Sequence, residues 1–150
     1  MKYEIRVDGL LGKLRCLLSS RRYSCDEFGG LPDSPGVYLF RQKRTGKVIY
    51  AGRTGKTKKR TIKVRVREHF HHFKDIKKAY SQPTQKWLIE TRRVKRGGFE
   101  TISRAAINHL KEDYFVQCVP VKGPEERAVF ERFTFAALKP PANLAKDYER

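Results

Sequence analysis

Five residues of this chain belong to types that act together on phosphate esters. Two are tyrosines in short apolar runs, Gly36-Val37-Tyr38 and Ile49-Tyr50-Ala51-Gly52. Arg65 and His69 follow, four residues apart in a strongly basic stretch, and Glu131 stands inside the run AVFERFTFAAL. On a helix, residues at i and i+4 share a face, so Arg65 and His69 would point into one space. A guanidinium fork binds two phosphate oxygens, and an imidazole donates or accepts a proton. The Glu131 run is apolar nearly all round. A carboxylate there needs a cation, which Arg127 one turn earlier or a metal ion would supply. Each feature also has a plainer reading: strand tyrosines pack, basic helix faces are solvated, and acids pair with arginines. No cysteine or carboxylate stands at ligand spacing from the histidines, which argues against zinc.

The elements that would carry these residues follow from periodicity and turn signals. Val37–Gln42 and Lys47–Gly52 are β-rich, and Arg44-Thr45-Gly46 between them supplies the glycine that a short hairpin loop requires. Pairing across that loop brings Tyr38 opposite the Tyr50–Gly52 segment, with both tyrosines on one surface. From about Thr61 a helix is expected, with Ile62, Val66, Phe70, Phe73 and Ile76 on its apolar side and Arg65, His69 and His72 on the adjoining stripe. Residues 84–96 read as another helix, with Trp87, Leu88, Thr91 and Val94 inward and Gly97-Gly98 as its stop. A further helix is expected over 100–112, with His109 as a structural residue. Tyr114–Val121 reads as a strand whose Pro120 places that end at a sheet edge. A last helix opens at Gly123-Pro124-Glu125-Glu126 and closes before Pro140-Pro141. At the N-terminus the alternation of Tyr3, Ile5 and Val7 suggests a short strand over 1–9. Leu10, Leu11, Leu14, Leu17 and Leu18 then mark an amphipathic helix that packs on the core. Gly29-Gly30, Pro32 and Pro35-Gly36 punctuate a loop.

Composition narrows the partner. The chain has 150 residues, enough for one core, and 34 Lys and Arg against 16 Asp and Glu give a formal net charge of +18. That excess, clustered over 56–67, implies a polyanion, with nucleic acid ahead of an anionic membrane surface. Candidate backbone contacts are Arg53, Lys56, Lys58, Lys59, Arg60, Lys63, Arg67, Arg92 and Arg93. No apolar run approaches the roughly 20 residues that span a bilayer. Asp8 and Lys13 interrupt any signal-peptide core. The odd count of three cysteines suggests reduced thiols and a cytoplasmic location. Gly55-Lys56-Thr57 is not a P-loop, because Tyr50 stands where that motif needs its first glycine.

Taken in order, Gly36-Val37-Tyr38, Tyr50-Ala51-Gly52, Arg65-x-x-x-His69, Glu131 and the asparagine ending LKPPAN143 resemble the GIY-YIG nuclease superfamily. The resemblance implies an α/β fold of the α+β type: a three-stranded antiparallel sheet flanked by helices. Here that domain would cover 36–146, with an N-terminal helical extension over 1–35 and a helical insertion near 75–115. It further implies DNA endonuclease activity with a divalent metal, magnesium or manganese, held by Glu131. Tyr38 would be the general base and Tyr50 a hydrogen-bond partner of phosphate or nucleophile. Arg65 would stabilise the transition state, and His69 would be an accessory proton or phosphate contact. Gly36, Gly52 and Asn143 would be structural. A tyrosine titrating near 10 is a poor base at pH 7, so Arg53 or Arg65 must stabilise its phenolate. Duplex or branched DNA is the expected substrate and RNA the weaker expectation. The alternative is an inactive basic binding module on the same fold.

Overall fold

A computed structural model describes residues 2–55, 57, 59–71, 82–91 and 99–143. Its elements are helix α1 (Lys2–Ser19), a 3-10 turn (Cys25–Gly30), strands β1 (Gly36–Gln42) and β2 (Val48–Arg53), helices α2 (Ile62–Glu68), α3 (Pro83–Glu90) and α4 (Phe99–Asp113), strand β3 (Tyr114–Pro120) and helix α5 (Pro124–Leu138). The strands form an antiparallel sheet in the order β2-β1-β3, with helices flanking it. The expected fold class is therefore observed.

The hairpin turns at Gly46, whose φ of 71° is costly for any residue with a Cβ. Tyr38 pairs with Gly52 and Phe40 with Tyr50 on one side, and Tyr38 with Cys118 on the other. Because side chains alternate, this register divides the core in two. Tyr38, Phe40, Tyr50, Tyr114, Val116 and Cys118 join Ile62, Val66, Leu88 and Leu110 from the helices. Val37 and Leu39 join Leu14 and Leu17 of α1, Phe130 of α5, and Val121 just after β3. Both outer strand edges are partly covered. Tyr23 exchanges backbone hydrogen bonds with Val116 of β3. Ala142 N–H donates to the Ile49 carbonyl at 2.8 Å, and the Asn143 carboxamide closes on both backbone groups of Ala51 at 3.0 and 2.8 Å. Asn143 thus acts as a side-chain substitute for a neighbouring strand.

Two expectations are corrected. Lys2–Ser19 is a single helix, so no strand forms over 1–9. Nothing breaks the chain ahead of the leucine stripe, and the helix runs back through Tyr3, Ile5 and Val7. The C-terminus of α1 is tied to the sheet. The Gln117 carboxamide donates to the carbonyls of Leu18 and Ser20, and Arg41 donates to Leu18 O at 3.1 Å and to Gln117 Oε1 at 2.9 Å. The calls on Lys56, Lys58, His72, Phe73, Ile76, Arg92, Arg93 and Val94 lie outside the described residues. Thr91 does not face inward: it is exposed, and its hydroxyl donates to the Trp87 carbonyl.

Candidate active site

Tyr38 lies at the centre of β1, fully buried, ringed by Phe40, Tyr50 and His69 at centroid distances of 6.2, 6.2 and 5.6 Å. Its ring passes over Gly52. A Cβ at that position would come within 2.7 Å of the Tyr38 hydroxyl and 2.9 Å of the Tyr50 ring. Gly36 is held for a similar reason: a Cβ there would lie 2.3 Å from the Val119 carbonyl and 2.6 Å from Ile62. The two glycines of the motifs therefore mark close approach rather than turns.

Helix α2 begins at Thr61, whose hydroxyl accepts from the Val64 N–H, and ends with His69 as its C-cap. His69 has no exposure. Its Nε2 lies 2.8 Å from the Tyr38 hydroxyl and its Nδ1 lies 2.9 Å from Thr84 Oγ1 on α3. Burial, aided by the Arg65 charge, pushes the imidazole down to about 3, so it is neutral at physiological pH. The ring faces the tyrosine, and both are without exposure. The Tyr38 phenol moves the opposite way. Burial raises it well above its ordinary value, Tyr50 and Glu131 add to the rise, and Arg65 opposes it.

Arg65 is half-buried. Burial works against its charge, but Tyr38, Tyr50 and Glu68 outweigh that and raise its pKa. Its guanidinium is ion-paired with Glu68, a partner that sequence reading passed over although it stands three residues on. Glu131 is also ion-paired, with Arg53 Nε at 3.1 Å from Oε1, and its side chain is only 14% exposed. Arg127, weighed beside a metal ion as its partner, has other contacts. It is buried, and its guanidinium donates to the carbonyls of Val121, Lys122 and Gly55.

Beyond the end of β2 a cleft of about 430 Å³ opens, lined by Arg53, Thr54, Gly55, Arg60, Arg65, Pro124 and Arg127. Four guanidiniums on one concavity suit an anion with several oxygens. Lys59 and Arg67 are exposed, and Lys63 pairs with Asp33 at 3.2 Å. The structure thus brings Tyr38, Tyr50 and His69 into contact, places Arg65 and Arg53 at the adjoining cleft, and puts Glu131 on Arg53. Thr84 was missed. Its position on the same stripe as Leu88 was the available signal. Among the described residues no group of three or more His, Cys, Asp or Glu could cage a metal. Glu131 alone still fits magnesium, which commonly takes one or two carboxylates and keeps several waters.

No family model matches the chain, and no curated protein matches its sequence. One solved structure that it is similar to is the GIY-YIG N-terminal endonuclease domain of UvrC from Thermotoga maritima, bound to magnesium as its catalytic divalent cation. The two share 18% identity over 79% of this chain and 93% of that domain, with a TM-score of 0.46. Among the described residues no helix is long and apolar enough to cross a membrane.

Proposed function

We propose that this protein is a metal-dependent endonuclease that hydrolyses DNA phosphodiester bonds, duplex or branched, with Tyr38 as general base. The observation that carries this reading is the phenol oxygen of Tyr38, buried 2.8 Å from a neutral imidazole, with Arg65, whose charge acts on it, lining an arginine-rich cleft. Tyr38 first loses its phenol proton to solvent, a loss that burial opposes and the Arg65 charge favours. The phenolate takes a proton from a water, the water oxygen bonds to phosphorus, and the bond from phosphorus to the leaving sugar oxygen breaks. The products are a phosphate monoester and a sugar hydroxyl, whose proton comes from solvent. Arg65 stabilises the phenolate before attack and the pentacoordinate phosphate after it. Tyr50 hydrogen-bonds Tyr38 and orients the attacking water. Glu131 would hold magnesium or manganese, which when bound supplies positive charge to the phosphate oxygens. Arg53, which pairs with Glu131 and lines the cleft, would bind a phosphate oxygen there. Lys59, Arg60 and Arg67, together with Lys56, Lys58, Lys63, Arg92 and Arg93, would meet the nucleic-acid backbone, where neutralised phosphates release counterions.

The Arg53–Glu131 ion pair favours a second reading, a binding module without catalysis, because it already satisfies the carboxylate. Nicking of supercoiled plasmid by wild type and Glu131→Ala, with and without magnesium, separates the two. Magnesium-dependent nicking by wild type that falls at least a hundredfold in the variant is expected. Equal nicking by both proteins, or none by either beside an active control, overturns the enzyme reading. RNA competing as well as duplex DNA for binding would redirect the substrate assignment.

A further inference from the structure

Arg127 is a cation that the fold buries without a counter-charge. It is 2% exposed. Its guanidinium donates to the carbonyls of Val121, Lys122 and Gly55 at 2.9, 2.7 and 2.9 Å, and its Nε finds no acceptor among the described residues. Carbonyls satisfy donors but carry no charge. A lone buried ion is costly, so buried charges are paired as a rule. Burial, and then the Arg53 charge beside it, hold the Arg127 pKa below its ordinary value. The acids nearest in the chain give no relief. Glu125 and Glu126 line a separate hollow against α1, where Glu126 pairs with Lys13.

The cleft beyond β2 is where that charge would be met. Arg53, Arg60, Arg65 and Arg127 line it, and among the described residues no carboxylate does. Glu68 pairs with Arg60 and Arg65, and Glu131 pairs with Arg53. Four guanidiniums against two carboxylates leave two positive charges. A phosphodiester within a strand brings one negative charge. A phosphate monoester brings about 1.5 to 2 at pH 7, because its second proton leaves near pH 6. The space also suits an end better than a passing strand: about 430 Å³ falls in the range of roughly 300–1,000 Å³ of clefts that enclose a single small ligand. We propose that this cleft is a subsite for a terminal phosphate monoester of the nucleic acid. Arg53, Arg60 and Arg65, whose side chains are 35, 52 and 28% exposed, reach its oxygens. Arg127, buried in the wall, supplies charge and holds the Gly55 carbonyl in place. The phosphorylated end is one that the substrate already carries or one that the cut has made. The second source rests on the nuclease reading above; the subsite does not.

Binding measured in EDTA, with metal-dependent cutting switched off, tests the subsite by itself. Fluorescence anisotropy is read on one short labelled DNA duplex in three forms: with a 5′-phosphate, with a 3′-phosphate, and with hydroxyl ends only. One phosphorylated form should bind about tenfold more tightly than the hydroxyl form, which is what a single hydrogen bond to a charged group contributes. Arg127→Met should bring that ratio toward one. So should Arg60→Gln, whose half-exposed side chain is no part of the core. Arg67→Gln, outside the cleft, should weaken all three forms alike and keep the ratio. Equal binding of the three forms by wild type overturns the proposal, as does a ratio that survives both cleft substitutions in folded protein. Cleavage with magnesium then separates the two sources. If the end is the substrate's, a linear duplex should be cut at a fixed distance from its phosphorylated end, and about tenfold more slowly without that phosphate. If it is the product's, closed-circular plasmid should be nicked, and the phosphorylated duplex should inhibit nicking more strongly than the hydroxyl form. Cutting that ignores the phosphate in both assays overturns the subsite's place in the reaction. Wild-type protein that cuts nothing but keeps the binding ratio overturns the nuclease reading and upholds the subsite.

Discussion

The two faces of the small sheet are built on opposite principles. On the face toward α1 and α5, Val37 and Leu39 meet Leu14, Leu17 and Phe130 in an apolar cluster, and the polar ties of Arg41 and Gln117 stand beside it at the end of α1. On the other face the centre is polar as well as buried: Tyr38 joins His69, which joins Thr84. Buried polar groups stabilise a fold only when each finds its partner, and they then define one geometry narrowly. The first face supplies most of what a platform needs. The second uses part of that stability to hold a phenol, an imidazole and a hydroxyl in line. Adjacent residues on one strand, Leu39 and Tyr38, therefore have different purposes.

The sharpest way to break that contrast is to substitute those neighbours. Tyr38→Phe keeps the ring and deletes the oxygen. Plasmid cleavage should fall about 10²–10⁴-fold, the range a general base contributes, while DNA affinity measured by fluorescence anisotropy stays within about twofold, because backbone charge supplies that affinity. Leu39→Ala should do the reverse, with about 2–5 kcal/mol lost in urea unfolding, as is usual for a truncated core leucine, and near-normal cleavage by the molecules that remain folded. Cleavage that survives Tyr38→Phe would show that the polar line is packing after all.

Glycine substitutions sharpen the same comparison, because one change should take opposite signs in the two regions. Gly52→Ala forces a methyl against the Tyr38 and Tyr50 rings, which neighbouring rings hold in place, and should destabilise by about 1–3 kcal/mol. Gly12→Ala in α1 meets nothing within 4 Å, so it should stabilise by about 0.5–1 kcal/mol through helix propensity. Thermal unfolding of both variants decides. Equal signs would mean that Gly52 is not the floor beneath the phenol.

The contrast also explains which parts were legible in the sequence. The apolar face announces itself through local pattern: the leucine stripe of α1, the alternation of β1, the long apolar run of α5. Hairpin, third strand and helix order were readable for the same reason. The site was readable as residue types and only partly as partners. Arg65 was given a phosphate and is found on Glu68, and Glu131 was given Arg127 or a metal ion and is found on Arg53, 78 positions away in the chain. His69 was placed on a ligand-facing stripe and is turned inward, because α2 ends there and α3 covers it. Which groups pair across long separations is decided by tertiary packing, and periodicity along one element carries no record of it.

A last expected effect concerns that inward turn. His69 titrates at about 3 in the folded protein against an ordinary value near 6.5. Between those values the unfolded chain binds a proton that the folded chain excludes. The histidine's contribution to stability is therefore complete above about pH 6.5 and is lost as pH falls toward 3, at about 1.4 kcal/mol per pH unit. Carboxylates begin to titrate below about pH 5, so the clean window is pH 5 to 6.5. Over it, the wild-type unfolding free energy should fall more steeply with decreasing pH than that of His69→Gln, whose amide has no proton to gain. His71, His72 and His109 are common to both proteins and cancel in the difference. Parallel slopes would mean that the imidazole is protonated or open to water in the folded state, and the polar face would then lose its sealed, neutral histidine while the apolar face stayed untouched.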